Sequence, residues 1–351
     1  MNYALSYSKI IARNFVQAVI FIQPQGYFQP YNPIFDVEKQ RTTAARKNLL
    51  RIGLALLVYL LITSAVQATA MFLCARFAPQ IYTQDWFFIA CTLLGYAAGF
   101  PIFFGFIASM PKQKPQKARL GFGGWIAFLA ISFLLMEVGS MIASFLMSAI
   151  ETVKGQEISN AVAEQINGSS PLVNLVVAVI LAPIFEELIC RKLIVDRLLP
   201  YSEVLAVVTS GLLFGLIHGN FYQFFYAALL GMLFAVVYVK TGNIFHTIGM
   251  HAVINFTGSI IASFFNERLP QDPSAAITPW TMVATLYSMA MLVLAVCGGI
   301  FLLRAFKKVR FSSQGTQELK LTSQFNAAWL NWGMILLILY CVMMFLFSLT
   351  I

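Results

Sequence analysis

The chain has 351 residues, of which 59% are apolar and only 11% charged. A soluble globular domain carries roughly 25% charged residues, so a surface that mostly faces water is excluded. The net charge of +9 does not point to nucleic acid, because lysine and arginine gather in the cytoplasmic loops of membrane proteins.

Residues 1–46 are too polar to span a bilayer and read as a cytosolic or interfacial arm without a secretory signal. Ile10, Ile11, Phe15, Val19 and Ile20 form an apolar stripe near Lys9 and Arg13, which suits a helix lying on the inner surface. Gln23 to Pro33 reads as an irregular linker. Nine apolar stretches follow, at roughly 49–73, 86–109, 122–148, 171–199, 203–218, 221–240, 244–264, 281–303 and 328–350. A membrane-crossing helix needs about 20 such residues, so the expected fold is an all-α polytopic membrane protein of about nine helices. The fourth stretch is long and carries charges, and the fifth is short. The fifth to seventh are joined by short turns and should pack as neighbours. No internal repeat is evident, so an inverted-repeat transporter gains no support. The five cysteines lie in apolar runs without ligand-like spacing and read as packing residues.

Basic residues set the expected orientation. With the N-terminus in the cytosol, 20 of the 23 lysines and arginines fall inside, leaving only Arg76, Lys154 and Arg268 outside. That asymmetry follows the positive-inside rule and places Ile351 across the membrane. The outer loops lean acidic, with Asp85, Glu151, Glu157, Glu164, Glu267 and Asp272.

Ionisable residues within membrane segments are costly and are functional candidates by default. Helix four carries Glu186, Glu187 and Arg191 in an otherwise apolar run. Glu187 and Arg191 stand one turn apart and can pair. Glu186 points about 100° away and is left without a local cation, as suits a general base. Phe214 and His218 end helix five, and His251 and Asn255 share a face of helix seven. Counted from the turn near Pro200, Glu186 lies about 21 Å along helix four and His218 about 27 Å along helix five. Counted from Gly242, His251 lies about 14 Å and Asn255 about 20 Å along helix seven, so the groups can share a layer. Glu137, in the middle of helix three, is a further acid expected to be buried, without an assigned role.

Glu186-Glu187-x-x-x-Arg191, Phe214-x-x-x-His218 and His251-x-x-x-Asn255, in this order, resemble the CAAX-protease and bacteriocin-processing (Abi-type) family of intramembrane endopeptidases. Tyr226-Ala-Ala-Leu-Leu-Gly231 and Tyr238-Val-Lys-Thr-Gly242 look like the same family. The likeness covers about residues 170–265 and divides the chain into an arm (1–46), N-terminal spans (47–165), a catalytic core (166–265) and C-terminal spans (266–351). The resemblance implies a cavity open to the cytosol, with Glu186 activating a water, His218 holding it, and His251 and Asn255 stabilising the oxyanion. It implies supporting roles for Glu187 and Arg191. Phe214 belongs to the motif. His246 falls outside it, about 140° round the helix from His251, and reads as structural or second in line.

The chemistry expected is metal-free hydrolysis of a peptide or membrane-associated protein, since no acidic partner for the histidines is evident in the sequence. A zinc set of Glu186, His218 and His251, as in a metalloprotease, is the alternative. A non-catalytic immunity or adaptor protein of the same fold and a proton-coupled transporter are the other function classes. The extra spans and the arm are read as pointing to a bacterial cytoplasmic membrane.

Overall fold

All nine apolar stretches are helical in the computed structural model, which describes residues 33–270, 272, 276–311, 316, 317, 319 and 321–350. The stripe at residues 10–20, the linker before Pro33 and Ile351 lie outside the described residues. The principal helices are α1 (Pro33–Phe77), α2 (Asp85–Ile107), α3 (Phe122–Lys154), α4 (Pro171–Leu198), α5 (Glu203–Leu216), α6 (Phe221–Thr241), α7 (Ile244–Asn266), α8 (Pro279–Lys308) and α9 (Trp332–Ser348). There is no strand among the described residues. The first helix starts earlier than composition suggests: 33–46 join it although they are polar.

Seven of these helices, α1 to α4 and α6 to α8, are long and apolar enough to cross a membrane. The last apolar stretch is broken into Leu321–Trp329 and α9, which meet at a bend of 63°. At 14 residues, α5 reaches only about 21 Å, short of the about 30 Å hydrocarbon layer. It rises part way, turns at Gly219 with φ 65°, and descends as α6. A left-handed turn residue carries no steric penalty only when it is glycine. The turn is also capped by Asn220, whose side chain accepts from the Gln223 N–H.

Polar contacts sort into two ends. At one end, Arg51 donates to the Phe106 carbonyl, Arg197 to the Ile107 carbonyl, and the Gln113 N–H to the Asp196 carbonyl. Lys240 pairs with Glu203 at 2.6 Å. At the other end, Ser170 donates to Asp85, Tyr222 to the Ile158 carbonyl and Lys154 to the Leu349 carbonyl. The loops that hold most of the basic residues therefore gather at one end, and the acid-leaning loops at the opposite one. The five cysteines form no disulfide.

The α5–α6 hairpin depends on close backbone approach. A Cβ on Gly211 would lie 2.6 Å from the Met232 nitrogen, and one on Gly231 would lie 2.9 Å from Gly211 Cα. Small residues at helix crossings are the usual membrane solution, because apolar side chains gain little by leaving lipid. Two expectations follow. Gly211→Val should force the hairpin apart and lose most of the folded, detergent-extractable protein, as size-exclusion chromatography would report. Reporters inserted at Gln116 and Asn160 should fall on opposite sides of the membrane, the first cytosolic; a shared side would overturn the topology.

Candidate active site

The charged part of α4 is framed by wider turns. Residues Asn174–Leu181 and Leu188–Val195 wind as π-helix around a short α-helical stretch, Ala182–Glu187. Pro183 lacks an N–H and so removes one rung of the ladder here. Such π turns are frequent at functional sites. They rotate the faces of α4 away from those a uniform helix would present.

Glu187 and Arg191 pair at 3.0 Å with both side chains at 0% exposure. The guanidinium donates to the Gly231 carbonyl at 3.2 Å and lies 4.4 Å from the Phe214 ring centroid and 5.4 Å from that of Phe234. The same Glu187 oxygen that faces Arg191 also lies 3.0 Å from His251 Nδ1. A carboxylate only accepts, so His251 Nδ1 carries the proton and donates. Its Nε2 then turns to Glu186, 3.7 Å from Oε2.

Glu186 differs from its neighbour in the way its sequence context suggests. Its side chain is 25% exposed, where that of Glu187 is at 0%. His218 Nδ1 lies 2.6 Å from the Phe214 carbonyl. The carbonyl can only accept, so Nδ1 is the donor and Nε2 of a neutral ring is free to accept. The Phe214 ring meets both imidazoles edge-on, at centroid distances of 5.0 and 5.6 Å. Asn255 donates from Nδ2 to the Ala178 carbonyl at 2.8 Å. An amide nitrogen carries two protons, so one remains for another acceptor.

Glu186, Phe214, His218, His251 and Asn255 all line one cavity of about 460 Å³. Glu187 and Arg191 are buried behind it. His246 is elsewhere: it lines a recess with Lys117, Arg119 and Asn243 at the basic end. Sequence reasoning missed the bond between Glu187 and His251, and it missed Tyr96, which stacks on Phe185 at 4.2 Å beside Glu186. Neither leaves a signal in spacing, because the partners lie far apart in the chain.

The cavity is walled on one side by Gln165, Ile166 and Ser169, from the acid-leaning end. Cys190, Ile194 and Leu198 of α4 are fully buried. Nearer the basic end Asp196 holds Lys192 and Tyr238 at 2.8 and 2.9 Å.

The histidines do have an acidic partner, contrary to expectation. Glu187 holds His251 as a carboxylate orients a metal-binding imidazole, so its supposed absence does not count against zinc. Among the described residues, no three or more His, Cys, Asp and Glu side chains are placed to hold a metal ion.

Residues 168–257 match the family described as Rce1-like: Type II CAAX prenyl endopeptidase Rce1-like. Searches of curated proteins and of solved structures return no match to the chain. The matched stretch runs from the start of α4 to the Asn255 turn of α7, so it contains Glu186, Phe214, His218, His251 and Asn255. The chain is a multi-pass membrane protein whose residues 168–257 are similar to the type II CAAX prenyl endopeptidases.

Proposed function

We propose that the protein hydrolyses a peptide bond within the membrane, using a water activated by Glu186 and no metal. The convergence of Glu186, His218, His251 and Asn255 on one cavity carries this reading. A water between Glu186 and His218 can give one hydrogen bond to the carboxylate and one to the free Nε2 of His218. As its oxygen attacks the scissile carbonyl carbon, Glu186 takes its proton. The carbonyl oxygen becomes an oxyanion, met by the remaining Asn255 amide proton and by His251 Nε2 when the ring carries a second proton there. Glu186 then returns the proton to the amine as the C–N bond breaks.

Charge supports the roles. Glu187 is balanced by Arg191, and a buried carboxylate paired with a cation is the arrangement a low-dielectric site tolerates. Among the described residues Glu186 forms no ion pair with lysine or arginine and faces the cavity, as suits a base that takes a proton from water. The setting that fits is a bacterial cytoplasmic membrane, with a peptide or membrane-associated protein as substrate.

In purified protein reconstituted into liposomes, Glu186→Gln should abolish cleavage while leaving the melting profile intact. Glu187→Gln should instead lower yield and thermal stability, because it strands Arg191. Equal turnover by native and Glu186→Gln protein would refute the assignment. Comparing the peptides released by cells with native and Glu186→Gln protein would identify the substrate, and absence of any cleavage product would favour an adaptor or a transporter.

Activity should survive prolonged dialysis against a chelator. Asn255→Ala should lower the rate by about 10² to 10³, the usual cost of one oxyanion donor. One tightly bound zinc per chain in elemental analysis, lost together with activity in His218→Ala, would overturn the metal-free reading and make Glu186, His218 and His251 the ligands.

A further inference from the structure

Glu137 was expected to be buried, but its side chain is open to a second cavity, of about 340 Å³, between α3, α7 and α8. It lies about 22 Å along α3 from Phe122, and Glu186 about 18 Å along α4 from Leu198, so the two acids occupy a similar depth. Glu137 makes no hydrogen bond or ion pair among the described residues, and no lysine, arginine or histidine lines its cavity. A lone carboxylate at this depth is costly and marks a site that lacks its counter-ion.

The remaining walls suit a cation on an alkyl stem. Thr257, Tyr287 and Ser288 contribute hydroxyls. The Thr257 hydroxyl already donates to the Ile254 carbonyl at 2.7 Å, so it can offer only lone pairs to a guest. Phe133, Met136, Met291 and Leu292 supply apolar surface, as needed along the methylenes of a long basic side chain.

This cavity meets the catalytic one. Met136 and Gly258 line both, and Gly258 also lines a third, polar cavity with Asn160, Asn167, Tyr222 and Gln223 near the acid-leaning end. A Cβ on Gly258 would touch nothing within 4 Å. A side chain placed at residue 258, which lines both cavities, would therefore enter free space without moving the backbone.

We propose that the Glu137 cavity is a specificity subsite that takes a lysine or another primary-amine side chain of the peptide being cut. The assignment rests on the endopeptidase reading for its role, but not for its binding. The ammonium would sit against Glu137 and the three hydroxyls, its stem against the methionines, with the peptide backbone passing Gly258 into the catalytic cavity.

Two measurements test it. In the first, a fluorogenic peptide library carries lysine, norleucine or glutamate at each position flanking the scissile bond. Native protein should favour lysine over norleucine at one position by tenfold or more, roughly what a charged hydrogen bond is worth. Glu137→Gln should bring that ratio close to one, Glu137→Asp should keep part of it, and Gly258→Leu should also remove it. The second needs no turnover: lysine and norleucine peptides are titrated onto Glu186→Gln protein and onto the Glu186→Gln, Glu137→Gln double variant. Tighter binding of lysine peptides only where Glu137 is present supports the subsite even if no peptide is cleaved. Equal affinities in both proteins, or a lysine preference that survives Glu137→Gln, overturn it whether or not the enzyme cuts.

Discussion

Glu187 stands at 0% exposure within a membrane-spanning helix, and an ionised carboxylate in that position has to be fully partnered. Its partners come from two elements: Arg191 one turn along α4, and His251 from α7. Arg191 in turn reaches the Gly231 carbonyl of α6 and the rings of Phe214 and Phe234. One buried ion pair thereby ties α4, α5, α6 and α7 into a single register. Removing one member of such a pair typically costs about 3–5 kcal/mol, since the other is left as an uncompensated charge. The position of His251 follows from this constraint, and the direction of its free nitrogen follows from the bond its other nitrogen makes.

Two neighbouring glutamates consequently do different work. Glu187 is spent on holding helices together, and Glu186, partly exposed, faces a cavity. Glu137 faces a separate recess that shares Met136 and Gly258 with that cavity.

The packing that allows this is of the membrane kind. The α5–α6 hairpin closes through Gly211 and Gly231, which brings backbone against backbone where lipid gives side chains no reason to associate. That closeness leaves the Gly231 carbonyl within reach of Arg191. α5 stops short of crossing the membrane, and the turn after it places His218 on the cavity that Glu186 lines instead of at a surface.

Composition and hydropathy alone determined that the chain is a polytopic helical membrane protein, because spanning helices need long apolar runs and lipid admits few charges. The order Glu186-Glu187, Arg191, Phe214, His218, His251, Asn255 was enough to pick out the site, since ionisable groups at such depth are rare. The pairing of Glu187 with Arg191 was also legible, being an interaction within one helical turn. Tertiary structure decided what depends on contacts between distant segments: the bond from His251 to Glu187, the hold of Ala178 on Asn255, and the stacking of Tyr96 on Phe185. The π turns in α4 are invisible to a fixed angle per residue. The exposure of Glu137 likewise depends on how α3, α7 and α8 meet, which no local pattern encodes.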